Sequence, residues 1–435
     1  MTHTIAYRAA ILHSLGDPDQ IGLENSYAYF EDGMLVVSDG VITDIGPVDQ
    51  VLARLPDATP IIEFKDKLIS AGFIDTHIHF PQIEMIASYG EQLLDWLNNY
   101  TFPEEGKFAD PVHAQRVASL FLDELLRNGT TTAMVFGTVH KASVEAFFSE
   151  SDKRNTRMIA GKVMMDRNGP DYLLDTPESS YVDSKALIER WHKQGRQLYA
   201  VTPRFAPTST EVQLAMAGRL LAEYDDVYLQ THLSENQQEI AWVKSLFPER
   251  AGYLDVYDHF NLLGERSVFA HAVHLEQKER ERMGETDSVI SFCPTSNLFL
   301  GSGLLDLPKV ESHGIRVGLG TDVGGGTSFS MLRTIAEAYK IQQLQQHKLH
   351  PMKALYLATL GGARSLSLAD KIGNLSVGKE ADFLVLDLRA TPLMDARINN
   401  SQHLFERLFV LMMLGDDRAV SETYIFGKRQ YQKQV

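Results

Sequence analysis

His77 and His79 stand one residue apart at the end of an apolar run, Ala71-Gly72-Phe73-Ile74-Asp75-Thr76-His77-Ile78-His79. On a β-strand, residues i and i+2 share a face and lie about 6–7 Å apart. Two imidazoles so placed can close on one metal ion, although a strand end with two solvent-facing histidines has the same spacing. Other apolar runs also end in reactive residues: Pro203-Arg204-Phe205, Thr231-His232-Leu233-Ser234-Glu235, Ala270-His271 and Gly320-Thr321-Asp322. Imidazole nitrogen and carboxylate oxygen suit zinc, and also iron or manganese. A divalent ion with an open position lowers the pKa of bound water from 15.7 to about 7, which suits hydrolysis of a C–N bond. Glu235 can carry the protons that such a reaction moves, or serve as a first-turn helix acid. Asp322 can bind metal and accept a proton from water, or cap a helix. His271 can ligate the metal or hydrogen-bond the water. Arg204 and Phe205 would suit a planar polar substrate, one donating to a carbonyl oxygen and the other stacking. An ion pair at a barrel rim is the plainer role for Arg204.

These residues matter together only if a fold brings their runs to one place. Eight β-like runs can be counted: Leu68–His79, Thr130–Thr138, Arg157–Met165, Leu198–Ala206, Val227–His232, Ser267–His271, Ser288–Cys293 and Ile315–Thr321. Helical text lies between several of them, as in Ala114–Asn128, where Val117, Leu120, Phe121 and Leu125 share a face. Alternating strand and helix implies a parallel sheet, and eight repeats predict an α/β fold of the (β/α)8, TIM-like barrel type. The reactive residues then sit at strand C-terminal ends, where barrel active sites are built. Residues 80–113 form a long insert after the first strand, expected to be a functional loop. The two chain ends carry short strands with Asp-Gly turn signals at 32–33 and 39–40. The expected domains are residues 1–68 and 376–435, which together make a small β-sandwich with a terminal helical segment, and residues 69–375, which make the barrel.

Composition removes several classes of function. The 435 residues are 44% hydrophobic and 23% charged, with net charge −16. That acidity argues against a broad nucleic-acid-binding surface but allows a nucleobase-sized ligand in a small pocket. The single cysteine, Cys293, excludes a disulfide framework and a multi-cysteine zinc site, and is expected to pack in the core. No run approaches the ~20 apolar residues of a membrane span, and the first residues lack a signal-peptide pattern. A cytoplasmic protein without membrane partners is expected. Gly318–Gly326 is glycine-rich but lacks dinucleotide and phosphate-loop spacing, and its glycines are expected to let the backbone turn around Asp322. His274 lies three residues past His271 and should not share its inward face. The remaining histidines, His13 among them, are expected at the surface or in packing.

The strand-end pattern His77-x-His79, His232, His271 and Asp322 resembles the amidohydrolase superfamily. So do Ala71-Gly72-Phe73-Ile74-Asp75-Thr76 and Gly378-Lys379-Glu380-Ala381-Asp382-Phe383. Arg204, where a carbamylated lysine would otherwise stand, points to the mononuclear branch. Within it the chain resembles the guanine deaminases, through His77-Ile-His-Phe-Pro-Gln82, Gly90-Glu-Gln-Leu-Leu-Asp-Trp-Leu97, Tyr100-Thr-Phe-Pro103, Thr202-Pro-Arg-Phe-Ala-Pro207, Thr231-His-Leu-Ser-Glu235 and Ser291-Phe-Cys-Pro-Thr-Ser-Asn297. The resemblance implies one metal per subunit, usually zinc with iron as the other choice, on His77, His79, His232 and Asp322. It implies Glu235 as proton shuttle, His271 beside the water, and Gln82, Arg204 and Phe205 around the base. Water would attack C2 of guanine, ammonia would leave and xanthine would form, in a purine-catabolic homodimer. The rivals are an aminohydrolase acting on a triazine, pterin or pyrimidine ring, and a catalytically silent scaffold.

Overall fold

The chain enters through β1 (Thr4–Ser14), β2 (Tyr27–Ser38), β3 (Val41–Pro47) and β4 (Ile61–Ala71) of the computed structural model, which describes residues 3–89 and 93–434. The Asp39-Gly40 turn joins β2 to β3 with φ of 49° and 85°, the left-handed pair that a tight hairpin requires. The apolar run Leu68–His79 does not form one strand. Leu68–Ala71 pair with β14 (Phe383–Leu386), Leu68 and Ile69 also with β1, and the barrel begins only after Gly72. Hydrophobic continuity hides this break, because both strands are buried throughout that stretch.

The barrel strands are β5 (Phe73–His79), β6 (Thr130–Phe136), β7 (Arg157–Gly161), the short β8 (Val163–Met164), β9 (Leu198–Pro203), β10 (Tyr228–Leu233), β11 (Ser267–His271), β12 (Val289–Phe292) and β13 (Arg316–Leu319). They pair in parallel in the order β5-β6-β7-β9-β10-β11-β12-β13, with β8 beside β9. Just beyond β13, the Asp322 N–H donates to the His77 carbonyl at 2.9 Å and the His79 N–H to the Val323 carbonyl at 2.8 Å. These bonds bring the last strand end against the first, so the TIM-like barrel is nearly closed. The chain then returns to the first layer through β14, β15 (Val420–Ile425) and β16 (Lys428–Gln432). Both ends thus build one continuous sheet, ordered β16-β15-β14-β4-β1-β2-β3 and antiparallel except between β1 and β4.

Strand alternation sorts the barrel side chains. Ile74, Met134, Ile159, Ala200, Tyr228, Val268 and Val289, one from each of seven strands, pack in one inner cluster. Ile78, Leu229, Leu233 and Phe269 join the larger cluster that includes the surrounding helices. One such helix, Pro111–Arg127, starts where the Asp110 side chain accepts from the Val112 N–H and Pro111 fills the first helical position. It buries Val117, Phe121 and Leu125, an apolar stripe at helical spacing. The insert after β5, expected as a loop, is largely helical: Phe80–Met85, Leu93–Trp96, Leu97–Thr101, Phe102–Gly106 and Lys107–Ala109. Its Leu93, Trp96, Leu97 and Phe102 pack with Phe205 and Leu300, and that tertiary burial supports turns too short to be stable alone. Gly90, Glu91 and Gln92 of the Gly90–Leu97 stretch lie outside the described residues.

Candidate metal centre and substrate pocket

Ile78 belongs to the outer cluster, so its neighbours His77 and His79 turn into the barrel. Leu233 does the same for His232. His271 and Asp322 reach the interior differently. Val268 faces inward and Phe269 outward, so strict alternation would carry His271 outward. Left-handed backbone at His271 (φ 68°) and Ala272 (φ 52°), and at Asp322 (φ 51°), redirects the chain. Such conformations are costly for non-glycine residues and concentrate at functional sites. Gly320 gives the turn its room, since a Cβ there would stand 2.7 Å from Ser291 Oγ and 2.9 Å from His77 Cβ.

The result is a tight set of donor atoms. His79 Nε2 lies 3.2 Å from both His77 Nε2 and His232 Nε2. Asp322 Oδ1 lies 3.2 Å from His77 Nε2 and 3.4 Å from His79 Nε2. Burial drives the histidine pKa values down, to about 3 for His77 and His232 and well below the ordinary value for His79, so the rings are neutral. His232 Nδ1 donates to the Arg204 carbonyl at 2.7 Å, which leaves its Nε2 lone pair facing the others. Donors at the about 2.0–2.1 Å of a tetrahedral zinc site stand about 3.3–3.4 Å apart, close to the spacing observed. Three neutral imidazoles and a carboxylate at these distances fit one divalent cation.

His271 and Glu235 form the edge of this set. His271 Nε2 is 3.4 Å from Glu235 Oε2 and 3.7 Å from Asp322 Oδ2. Asn297 Nδ2 donates to His271 Nδ1 at 2.9 Å, so the neutral ring carries its proton on Nε2, toward the carboxylates. Burial pushes the Glu235 carboxyl well above the ordinary range, and the charges of Asp322 and Glu239 add to this. Ser302 Oγ donates to Glu235 Oε1 at 2.7 Å. His274 lies apart and donates through Nε2 to the Ser302 carbonyl at 2.7 Å. Cys293 approaches His77, His271 and Asp322 from behind, but burial keeps its thiol protonated, and Sγ donates to the Ser291 carbonyl at 3.4 Å.

Beside the donors lies a cavity lined by Gln82, Arg204 and Phe205, together with Trp96, Leu97 and Leu300. Arg204 is buried against Glu105, donating from Nη1 at 2.6 Å and Nη2 at 3.1 Å, so its ion pair lies inside the molecule and not at the rim. Glu105, Asn297, Ser302 and Glu239 were not singled out as site residues from the sequence. Asn297 closes a stretch quoted above, and that position was the available signal. Glu105 carried none, being one acid among several in the insert.

The Amidohydrolase family model matches residues 68–429. The guanine deaminase of Escherichia coli (strain K12) is 54% identical over 97% of this chain and 96% of its own length. Among solved structures, "E. coli Guanine Deaminase" superposes with a TM-score of 0.96 at 52% identity, covering 99% of each chain. A guanine deaminase from C. acetobutylicum with guanine bound in its active site superposes with a TM-score of 0.88 at 31% identity, covering 98% of this chain and all of that one.

Proposed function

Because the chain belongs to the amidohydrolase family, and within it to the guanine deaminases, we propose that its barrel site hydrolyses guanine to xanthine and ammonia. The observation that carries this reading is the meeting, around one cavity, of His79, His232 and Asp322 of the cation site with Gln82, Arg204 and Phe205. His77, His79, His232 and Asp322 would hold the ion, and zinc suits three imidazoles and a carboxylate. A divalent cation supplies the Lewis acidity that makes water nucleophilic near neutral pH.

The protein's own groups manage position and protons. Arg204 and Gln82 donate to acceptors on the purine edge, while Phe205, Trp96 and Leu97 bound its faces and exclude water. The water oxygen adds to C2 and the bond from C2 to the amino nitrogen breaks. One of the water protons ends on ring N3 and the other on the departing ammonia. Asp322 accepts a proton from the water as the C–O bond forms. Glu235, whose burial favours its protonated form, gives its proton to N3, takes the remaining proton of the attacking oxygen and passes it to the leaving nitrogen, and is reset by the proton held on Asp322. His271 donates its Nε2 proton toward the attacking oxygen and acts there as an orienting donor.

The same reading carries a purine-catabolic, cytoplasmic homodimer with no nucleic-acid or membrane partner. Among the described residues no helix is long and apolar enough to cross a membrane. Metal analysis of the purified protein combined with a panel of purines, pterins, triazines and pyrimidines tests the proposal. One zinc per chain and conversion of guanine to xanthine are expected. Metal-loaded protein that leaves guanine unchanged would overturn it.

A further inference from the structure

Glu105 lies behind the substrate wall, 1% exposed, and binds both of the polar residues that form it. Its Oε1 accepts from Gln82 Nε2 at 3.0 Å and Arg204 Nη2 at 3.1 Å, and its Oε2 accepts from Arg204 Nη1 at 2.6 Å. On its other side, Gln82 Oε1 accepts from the Gly324 N–H at 3.0 Å. The Gln82 amide therefore has one orientation. Flipped, it would set its oxygen against the Glu105 carboxylate and its NH2 against the Gly324 N–H. The Arg204 guanidinium is fixed by the same carboxylate and by Phe102, whose ring centre lies 5.2 Å from the guanidinium carbon.

A hydrogen-bond inventory then defines what the wall offers. A guanidinium has five N–H donors and no acceptor, and Glu105 takes one from each terminal nitrogen. One Gln82 N–H is also taken, and the second projects from a locked amide. What both side chains present with free N–H groups is a donor surface. The geometry points to Glu105 as a specificity-determining positioning residue: by locking Gln82 and Arg204 as donors, it selects a ring edge bearing acceptors, such as a 6-oxo group beside N7, and rejects one bearing an amino group there. Apposing an amino group to that surface leaves donors buried without acceptors, which is unfavourable for each group so stranded. The carboxylate also balances the Arg204 charge beside the cation site, so a neutral base meets a neutral wall. This inference rests on guanine being the substrate.

The test compares guanine with 2,6-diaminopurine, which keeps the 2-amino group and replaces the 6-oxo acceptor with an amino donor. Wild type, Glu105→Gln and Glu105→Asp are assayed on both, with melting temperature and metal content as checks on folding. In Glu105→Gln the new amide can hold only one partner as acceptor, and Gln82 is free to turn its oxygen toward the substrate. The ratio of kcat/KM for guanine over 2,6-diaminopurine is expected to fall about tenfold or more, and the guanine loss to lie mainly in KM. Glu105→Asp, whose shorter carboxylate cannot span both partners, should lower the ratio less and carries the test if Glu105→Gln does not fold. A folded, metal-loaded variant whose ratio matches wild type, or whose two activities fall in parallel, overturns the assignment and makes Glu105 merely structural. A wild-type enzyme inactive on guanine overturns the substrate reading together with it.

Discussion

His232 Nδ1 donates to the backbone carbonyl of Arg204 at 2.7 Å, so the cation site and the substrate wall share one residue. The main chain of Arg204 orients the ring of a proposed metal ligand, and its side chain lines the cavity proposed to hold the base. A ligating histidine held through its other nitrogen has a fixed tautomer and orientation. Because the link runs through the backbone, the two functions are separable by substitution. Arg204→Gln should keep its metal and lose guanine affinity. The loss of a charge-assisted hydrogen bond, about 1.5–3 kcal/mol, corresponds to roughly 10–150-fold in kcat/KM. Elemental analysis alongside steady-state kinetics checks this, and loss of metal in step with activity would contradict it.

Glu235 is the proposed proton carrier, and its Oε1 is held by Ser302 at 2.7 Å. Glu235→Gln preserves the shape and a hydrogen-bonding oxygen for Ser302 while removing the transferable proton. Its kcat should fall about 10²–10⁴-fold, with KM for guanine changed only a few-fold. Xanthine binding measured by calorimetry should survive. Weakened xanthine binding with little change in kcat would make Glu235 a binding group instead.

Removal of the cation should have two separable effects. His77, His79 and Asp322 are buried and His232 is partly buried, and the folded chain would bind the ion where the unfolded chain lacks the assembled site. Dialysis against a chelator should therefore abolish turnover and lower the melting temperature, since a ligand specific to the native state stabilises it by RT ln(1 + [L]/Kd). Zinc should restore both. His79→Ala should reproduce the activity loss and resist rescue. Full activity after exhaustive chelation, confirmed metal-free by elemental analysis, would rule out the proposed role of the ion.

Some of this site could be read along the chain and some could not, for physical reasons. His232 obeys strand alternation from Tyr228, with Leu229 and Leu233 on the opposite face, whereas His77 and His79 turn inward only because an irregularity between Asp75 and Ile78 shifts the phase that Ile74 sets, so the period-two pattern reaches them through their mutual spacing alone. His271 and Asp322 break it through left-handed backbone, and only their position at strand ends placed them. The run Leu68–His79 read as one strand because both sheets bury their members, and hydrophobicity does not mark the crossing at Gly72. Glu105 was out of reach because its meaning lies in Arg204, 99 residues away, and the turns around it carry no periodic pattern. The insert itself was legible as important, and its helical character was not, because tertiary packing supports it.

His13 supplies a pH dependence remote from the site. It is 5% exposed, and its Nδ1 accepts from the Leu375 N–H at 3.3 Å. Burial, with a smaller contribution from the Lys379 charge, lowers its pKa from 6.5 to about 4. The unfolded chain takes up this proton first, so the folded state pays no penalty above pH 6.5 and loses stability as pH falls from 6.5 toward 4. Below that both states are protonated and the loss is constant. The full effect is on the order of 3 kcal/mol. Since carboxylates also titrate in this range, the contribution is isolated by comparison with His13→Gln, whose side-chain oxygen can still accept from Leu375. Urea denaturation at pH 7 and pH 4.5 should show wild type losing about 2–3 kcal/mol more than the variant. Parallel losses in the two proteins would show that His13 is solvated and titrates normally.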